Sequence, residues 1–167
     1  MNADAHLNLT ALETAELKRA MGCFATGVTI AATHHEGADH GMTCNSFNTV
    51  SLDPAMVLWS IRKQSASRAA FLESGGYTIS VLGAGQRDLA ERFTRGLPQE
   101  RFDGVGSERL PSGRPRIADA IAWFDCAIEH VLSAGDHDVL VGRVLSFAAA
   151  PDAPASVASS PRPRYPR

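Results

Sequence analysis

Residues 121–147 read IAWFDCAIEHVLSAGDHDVLVGRVLSF, and this stretch decides the fold. Ile121–Ser133 and Val139–Phe147 are two long runs rich in β-branched and aromatic residues, the composition of strands. Gly135, Asp136 and His137 lie between them and supply the residue types of a tight hairpin turn. A connection this short can only join antiparallel neighbours, because parallel strands need a crossover of about a dozen residues or more.

Working outward, the same grammar recurs. Tyr77–Leu82 (YTISVL) and Ala55–Ile61 (AMVLWSI) read as strands, the latter preceded by a turn at Asp53–Pro54. A further strand is predicted over about Gly41–Val50. It is joined to an alternating run from Val28 to Thr33 by the polar turn His34–His40. Helical periodicity is confined to three short segments. Thr10 and Glu13 form a Thr-x-x-Glu capping box ahead of Leu12, Leu17, Met21 and Phe24, which predicts a helix over 11–24. Ser65 or Ser67 opens a second helix that Gly75–Gly76 ends, and Gln86–Thr94 forms a third. Strands at short spacing with hairpin turns argue for an antiparallel barrel over alternating βαβ units. Residues 96–118, rich in Gly, Pro and Arg, predict a long surface excursion. The expected organisation is a flexible N-terminus over 1–10, one domain over 11–148, and a disordered Ala/Ser/Pro tail over 149–167.

The bulk numbers agree with one folded domain. The 167 residues are 44% hydrophobic and 20% charged, with a formal net charge of −2. That charge gives no reason to expect a nucleic-acid partner. No apolar run approaches the length of a membrane span, and the N-terminus lacks the pattern of a signal peptide. The three cysteines, Cys23, Cys44 and Cys126, are odd in number and never in a C-x-x-C pair. A disulfide framework and a zinc site are therefore not expected, and a reducing cytoplasm is. His34, His35 and His40 share one hydrophilic turn and read as solvated turn residues, not metal ligands.

Three segments are candidates for chemistry. In GMTCNSFNTVSLDPAMVLWS (Gly41–Ser60), short hydroxyl and amide side chains cluster where a plain surface strand would alternate. Such a strand leaves backbone groups open to a flat heterocycle with donors and acceptors along one edge. By pattern alone, an ordinary edge strand with β-propensity threonines is the stronger reading. Ser65 and Ser67 lie at a helix start with Arg62 and Lys63 nearby, which suits a phosphate; simple serine capping explains them equally well. Gly83-x-Gly85 follows a strand and precedes a helix, but Asp88 stands where a dinucleotide fingerprint has its third glycine, so a strand-to-helix turn is the reading preferred. No G-x-S-x-G motif supports hydrolase chemistry.

Taken in order, FATGVTI (Phe24–Ile30), GMTCNSF (Gly41–Phe47), SLDP (Ser51–Pro54), SAS (Ser65–Ser67), LAERF (Leu89–Phe93), RFDGV (Arg101–Val105), GDH (Gly135–His137) and VGRV (Val141–Val144) resemble one family. It is the flavin reductase-like family with the FMN-binding split barrel, whose members include reductase components of two-component flavin monooxygenases. The resemblance spans about Leu17 to Leu145. It implies a mainly β fold, a six-stranded antiparallel Greek-key split barrel with short flanking helices. It also implies a homodimer and an NAD(P)H:flavin oxidoreductase of the EC 1.5.1.- type, passing hydride from NADH or NADPH to FMN or FAD for a partner monooxygenase. Carried over by position, Thr43, Cys44, Asn45 and Ser46 lie along the isoalloxazine and ribityl chain. Ser60, Ile61 and Arg62 lie at the ring edge and ribityl region, and Ser65 and Ser67 at the phosphate. Phe102 is carried over as an aromatic wall, and His137 as the residue that positions the nicotinamide. Cys44 and Asn45 depart from the small residues common at those places, and the tail after Phe147 lacks the usual apolar ending. A non-enzymatic flavin-binding electron-transfer protein is the competing reading.

Overall fold

The computed structural model describes residues 9–150 and 154–158. Its elements, in order, are α1 (Ala11–Met21), β1 (Thr26–Gly27), β2 (Thr29–His35), β3 (Ala38–Cys44), β4 (Asn48–Leu52), β5 (Ala55–Arg62), α2 (Arg68–Glu73) and β6 (Gly76–Val81). There follow α3 (Arg87–Arg92), a 3-10 turn (Pro98–Phe102), β7 (Ser107–Arg109), β8 (Pro115–Ile117), β9 (Ala122–Ala134), β10 (His137–Ala149) and β11 (Val157–Ala158).

The decisive hairpin forms as its composition requires. β9 and β10 pair antiparallel from His137–Ala134 to Ala149–Ala122, and two bulges bend the ribbon, between Val141 and Gly142 and between Val144 and Ser146. Around it the main sheet has the order β3-β2-β6-β9-β10-β5-β4, with every neighbour antiparallel. The chain leaves β5, passes through α2 and enters β6 three places along the sheet, across β10 and β9. That is the long return connection of a Greek key.

The sheet has seven strands where six were expected. The segment predicted as one strand over Gly41–Val50 is two, β3 and β4, which lie at opposite edges of the sheet. Only Asn45–Phe47 separate them. A link this short draws the two edges together, so one bent segment serves both margins and closes the barrel.

The interior follows from the alternation. Trp59 packs edge-on against Phe71 at 4.8 Å and against Tyr77 at 5.7 Å, and all three are fully buried. Burying a side chain of this size contributes about 1.5–3 kcal/mol, so this cluster is the main apolar anchor of β5, α2 and β6. Gly142 is needed beside it, since a Cβ there would sit 2.8 Å from Tyr77 Cζ and 3.0 Å from Cys126 Cβ. A second cluster, Ile30, Leu82, Phe93 and Ile117, lies beneath α3. The predicted excursion over 96–118 carries structure of its own, the 3-10 turn and the β7–β8 hairpin, and Ile117 anchors it in that cluster.

α1 is capped as predicted, with Thr10 and Glu13 bonded reciprocally. None of its residues is buried, and Leu12, Met21 and Phe24 stay exposed. Of the segment expected as a loose tail, Ala149 ends β10, and residues 154–158 run along the barrel. Ser156 N–H donates to Leu82 at 2.8 Å, Val28 N–H donates to Ser156 at 3.2 Å, and β11 pairs with β1. Residues 1–8 of the expected flexible N-terminus and 159–167 of the tail lie outside the described residues. No helix among the described residues is long and apolar enough to cross a membrane.

Candidate functional site

The bend between β3 and β4 is also where a cleft opens. At Ser46 the sheet margin is held by a side chain: Ser46 Oγ accepts from Ser60 N–H at 2.9 Å and reaches the Ser60 carbonyl at 3.3 Å. This hydroxyl continues the β4–β5 ladder two residues past the Asn48–Leu58 pair, into the bend. Around it lies a cleft of about 580 Å³ lined by Met42, Thr43, Cys44, Asn45, Ser46, Ser60, Arg62, Gln64, Ser65, Ala66, Arg101 and His137.

Eight of the sequence-predicted residues therefore meet in one place: Thr43, Cys44, Asn45, Ser46, Ser60, Arg62, Ser65 and His137. The structure puts three others elsewhere. The Ile61 side chain is fully buried in the cluster with Trp59 and Phe71, because alternation along β5 sends it inward between Ser60 and Arg62. Ser67 is buried under the start of α2, and its N–H donates to Ser65 Oγ at 3.3 Å. Phe102 meets Phe93 edge-on at 5.0 Å, over Gly41. Gly41 tolerates no side chain there, since a Cβ would lie 2.6 Å from Phe93 and 2.8 Å from Phe102. Met42, Gln64 and Ala66 line the cleft without having been singled out, because no residue-type signal marks them.

Each wall has a cause. Thr43 anchors α3 to the margin: its hydroxyl donates to Ala90 at 2.6 Å and its N–H to Phe93 at 3.3 Å. The Cys44 thiol turns inward and meets the Thr29 hydroxyl at 3.0 Å. Burial pushes that thiol up to about 11, so it stays neutral and is no nucleophile at physiological pH. What Cys44 offers the cleft is backbone. α2 is clamped to β10 through Arg68 Nε, which donates to the buried Asp138 carboxylate at 2.6 Å, and this sets the position of Ser65 and Ala66.

His137 is held from two sides. It pairs across the ladder with Arg62. The turn before it is tied down by Lys63, whose ammonium donates to Ser133 Oγ and to the Gly135 carbonyl, each at 2.7 Å, and whose N–H donates to Asp136 at 2.9 Å. His137 Nδ1 lies 2.7 Å from the Asp136 carboxylate. The hydrogen bond from His137 holds the exposed Asp136 carboxyl below its ordinary range. With Nδ1 donating to that carboxylate, Nε2 is left for a ligand.

The cleft carries Arg62, Arg101 and His137 and is lined by no carboxylate. Its remaining polar groups are short hydroxyls and two amides. Such a surface suits an anion at one end and a flat, hydrogen-bonding ring along the strand. A second cleft of about 570 Å³ shares Thr43, Cys44 and Asn45 with the first, and α3, Ser156 and Val157 form its far side. Among the described residues no three His, Cys, Asp or Glu side chains converge on a metal position. His34 pairs with Asp39 at 2.7 Å and His35 with Glu73 at 3.1 Å.

Comparison with known proteins gives a consistent result. Residues 21–161 match the family model of the flavin reductase like domain. The chain is 42% identical over 131 residues to the FMN reductase (NADH) SmoA of Agrobacterium fabrum, covering 78% of this chain and 74% of that one. It is 39% identical over 136 residues to the reductase component of the flavin-dependent trigonelline monooxygenase of Acinetobacter baylyi, covering 81% of this chain and 44% of that one. Among solved structures, the NADH:FAD oxidoreductase SgcE6 of Streptomyces globisporus C-1027 superposes with a TM-score of 0.85 at 33% identity, covering 90% of this chain and 92% of that one. The chain spans 42–57% of the length of several curated relatives it matches.

Proposed function

This chain belongs to the flavin reductase like domain family, and on that premise we propose that it is an NAD(P)H-dependent flavin reductase of the EC 1.5.1.- type that supplies reduced flavin to a partner monooxygenase. The observation that carries the reading is the cleft at the bend between β3 and β4, which among the described residues is lined by three basic side chains, four short hydroxyls and no carboxylate.

The residues present fit a flavin mononucleotide. Ser65, Gln64 and Arg62 are the groups for its phosphate, and the Thr43–Ser46 margin with Ser60 offers groups for the ribityl chain and ring. The flavin, when bound, supplies the hydride-accepting ring. The chain's work is to bind and orient. His137 is proposed to position the nicotinamide through Nε2, its Nδ1 being engaged with Asp136; a hydride acceptor asks for no general acid at this step. Ile61, Ser67 and Phe102 are proposed in supporting roles, through the core beneath Ser60, the start of α2 and the packing over Gly41. The relatives named for FMN and for FAD support both as acceptors, and both names specify NADH.

A homodimer is part of the proposal. Leu12, Met21, Phe24, Leu52 and Phe147 are large, apolar and exposed on a single chain, with Leu52 94% exposed, more than a lone chain gains from leaving in water. Three cysteines without disulfides suit a reducing cytoplasm.

The test is NADH or NADPH oxidation by the purified chain with FMN, FAD or riboflavin added. Turnover well above the uncatalysed rate is expected with at least one pair. No acceleration with any pair overturns the proposal, and tightly retained flavin without oxidation favours an electron carrier.

A further inference from the structure

The segment joining α3 to the 3-10 turn holds a group of arginines, of which Arg101 alone lines the flavin cleft. Arg92, Arg95 and Arg101 line a small hollow of about 230 Å³ with Gly96, Leu97 and Glu100. Arg101 lines this hollow and the flavin cleft at once, so the two lie on either side of one side chain.

Arg101 is held by carbonyls. Nη1 donates to Gly41 at 2.7 Å, Nε to Arg95 at 2.9 Å and Nη2 to Gly96 at 3.3 Å. Among the described residues it has no carboxylate partner, and it is half-buried. Three of its five N–H donors are engaged, which leaves one on each terminal nitrogen. Arg92 is fastened in the same way, with Nε donating to Arg101 at 2.8 Å and Nη2 to Asp103. Carbonyls orient a guanidinium and leave its charge unspent. The acids nearby are Glu100, in the hollow, Glu91, which reaches Arg95 at 3.8 Å, and Asp103, whose carbonyl accepts from Arg92. Of these only Glu100 lines the hollow itself, against three guanidinium groups.

We propose that Arg92, Arg95 and Arg101 seat the adenosine-diphosphate half of a dinucleotide whose redox ring occupies the adjoining cleft. The pyrophosphate is the chemistry that recognises them, since guanidinium forks bind phosphate oxygens in pairs. Arg101 is the hinge of the arrangement, with the cleft on one side of it and the hollow on the other. The inference rests on the flavin reductase reading for the identity of the ring. The ADP half has two possible sources, the pyridine nucleotide and FAD.

The experiment uses the whole chain with Arg95→Gln and Arg101→Gln. Arg95 is exposed, so its variant keeps the fold even where loss of Arg101 loosens the Gly41 margin. Substrates are compared in pairs that differ only by the ADP half: NADH against reduced nicotinamide mononucleotide, and FAD against FMN. Loss of one charged hydrogen bond to a phosphate weakens binding about tenfold. A tenfold rise in the KM ratio of NADH to reduced nicotinamide mononucleotide assigns the seat to the pyridine nucleotide. The same rise in the Kd ratio of FAD to FMN assigns it to the flavin. Both ratios unmoved in both variants overturn the proposal, as does an equal loss within each pair. Calorimetric titration with ADP-ribose separates this from failure of the enzyme reading. If the unaltered chain oxidises no NAD(P)H, the reductase reading fails, while ADP-ribose binding weakened tenfold by Arg95→Gln still sustains the seat.

Discussion

Replacing Ser46 by alanine removes a side-chain contact that ties the β3–β4 bend to β5. The hydroxyl accepts from Ser60 N–H at 2.9 Å and also reaches the Ser60 carbonyl, so Ser46→Ala strips both backbone groups of β5 at that rung. A neutral hydrogen bond contributes about 0.5–1.5 kcal/mol net, and a fully buried donor left without a partner adds about 1–3 kcal/mol. Ser46 and Ser60 are half-buried, so water recovers part of the second penalty, and about 1–2 kcal/mol is expected in all. For a domain near 150 residues this lowers Tm by about 3–6 °C. The same loss widens the margin between β3 and β5, where Ser46 and Ser60 line the cleft, and FMN affinity is expected to fall about tenfold. Thermal melting and flavin-fluorescence titration measure the two. Ser46→Thr keeps the hydroxyl and should retain most of both. An alanine variant with Tm within 1 °C and an unchanged FMN Kd refutes the reasoning that this hydroxyl ties the bend to β5 and shapes the cleft.

Other consequences are as direct. His137→Ala should raise the KM for NADH about tenfold while FMN Kd moves less than twofold, in steady-state kinetics and fluorescence titration; equal loss of both counts against a nicotinamide-positioning role. Arg68→Met leaves the Asp138 carboxylate, 4% exposed, without its cation. A loss of about 3 kcal/mol in urea unfolding is expected, and a loss below 1 kcal/mol would show that the pair is not what clamps α2. At pH 8, a thiol reagent should modify Cys23 alone, since Cys44 and Cys126 are buried; modification of more than one thiol in the native chain would contradict the packing. Burial pushes Cys44 and Cys126 up to about 11 and about 12 from an ordinary value of 9.0. Between those values the unfolded chain has lost protons that the folded chain keeps, so stability falls as pH rises above 9. Chemical denaturation from pH 8 to 11 should show that decline; replacing both cysteines by serine or alanine should flatten it up to about pH 10, above which the buried Tyr77 hydroxyl, also raised by burial, continues it.

Local chemistry made the hairpins readable. Gly135-Asp136 between two β-rich runs, Asp53–Pro54 before AMVLWSI, and Thr10 with Glu13 each state their geometry within a few residues, and the structure forms all three. The cleft was partly readable for another reason. Thr43 and Ser60 are polar on strands, and Asn45, Ser46 and Ser65 add short polar side chains in the links beside them; such a cluster marks a surface that packing alone does not require. The side-chain directions of Cys44, Ile61, Ser67 and Phe102 were not legible, because direction depends on which strand face or helix packs over them. Neighbours far along the chain set that direction: Thr29 for Cys44, Trp59 and Phe71 for Ile61, Phe93 for Phe102.

The sequence by itself determined an antiparallel barrel, its turns, and the order of segments that marks the flavin reductase like domain. Those properties rest on periodicity, turn residues and capping, which act over a few positions. Only the tertiary structure decided that Gly41–Val50 is two strands on opposite margins, that Ser46 ties the bend between them to β5, and that Arg101 lines both the cleft and a second hollow. Closure depends on strands more than a dozen residues apart meeting in register, and no local preference along the chain encodes that meeting.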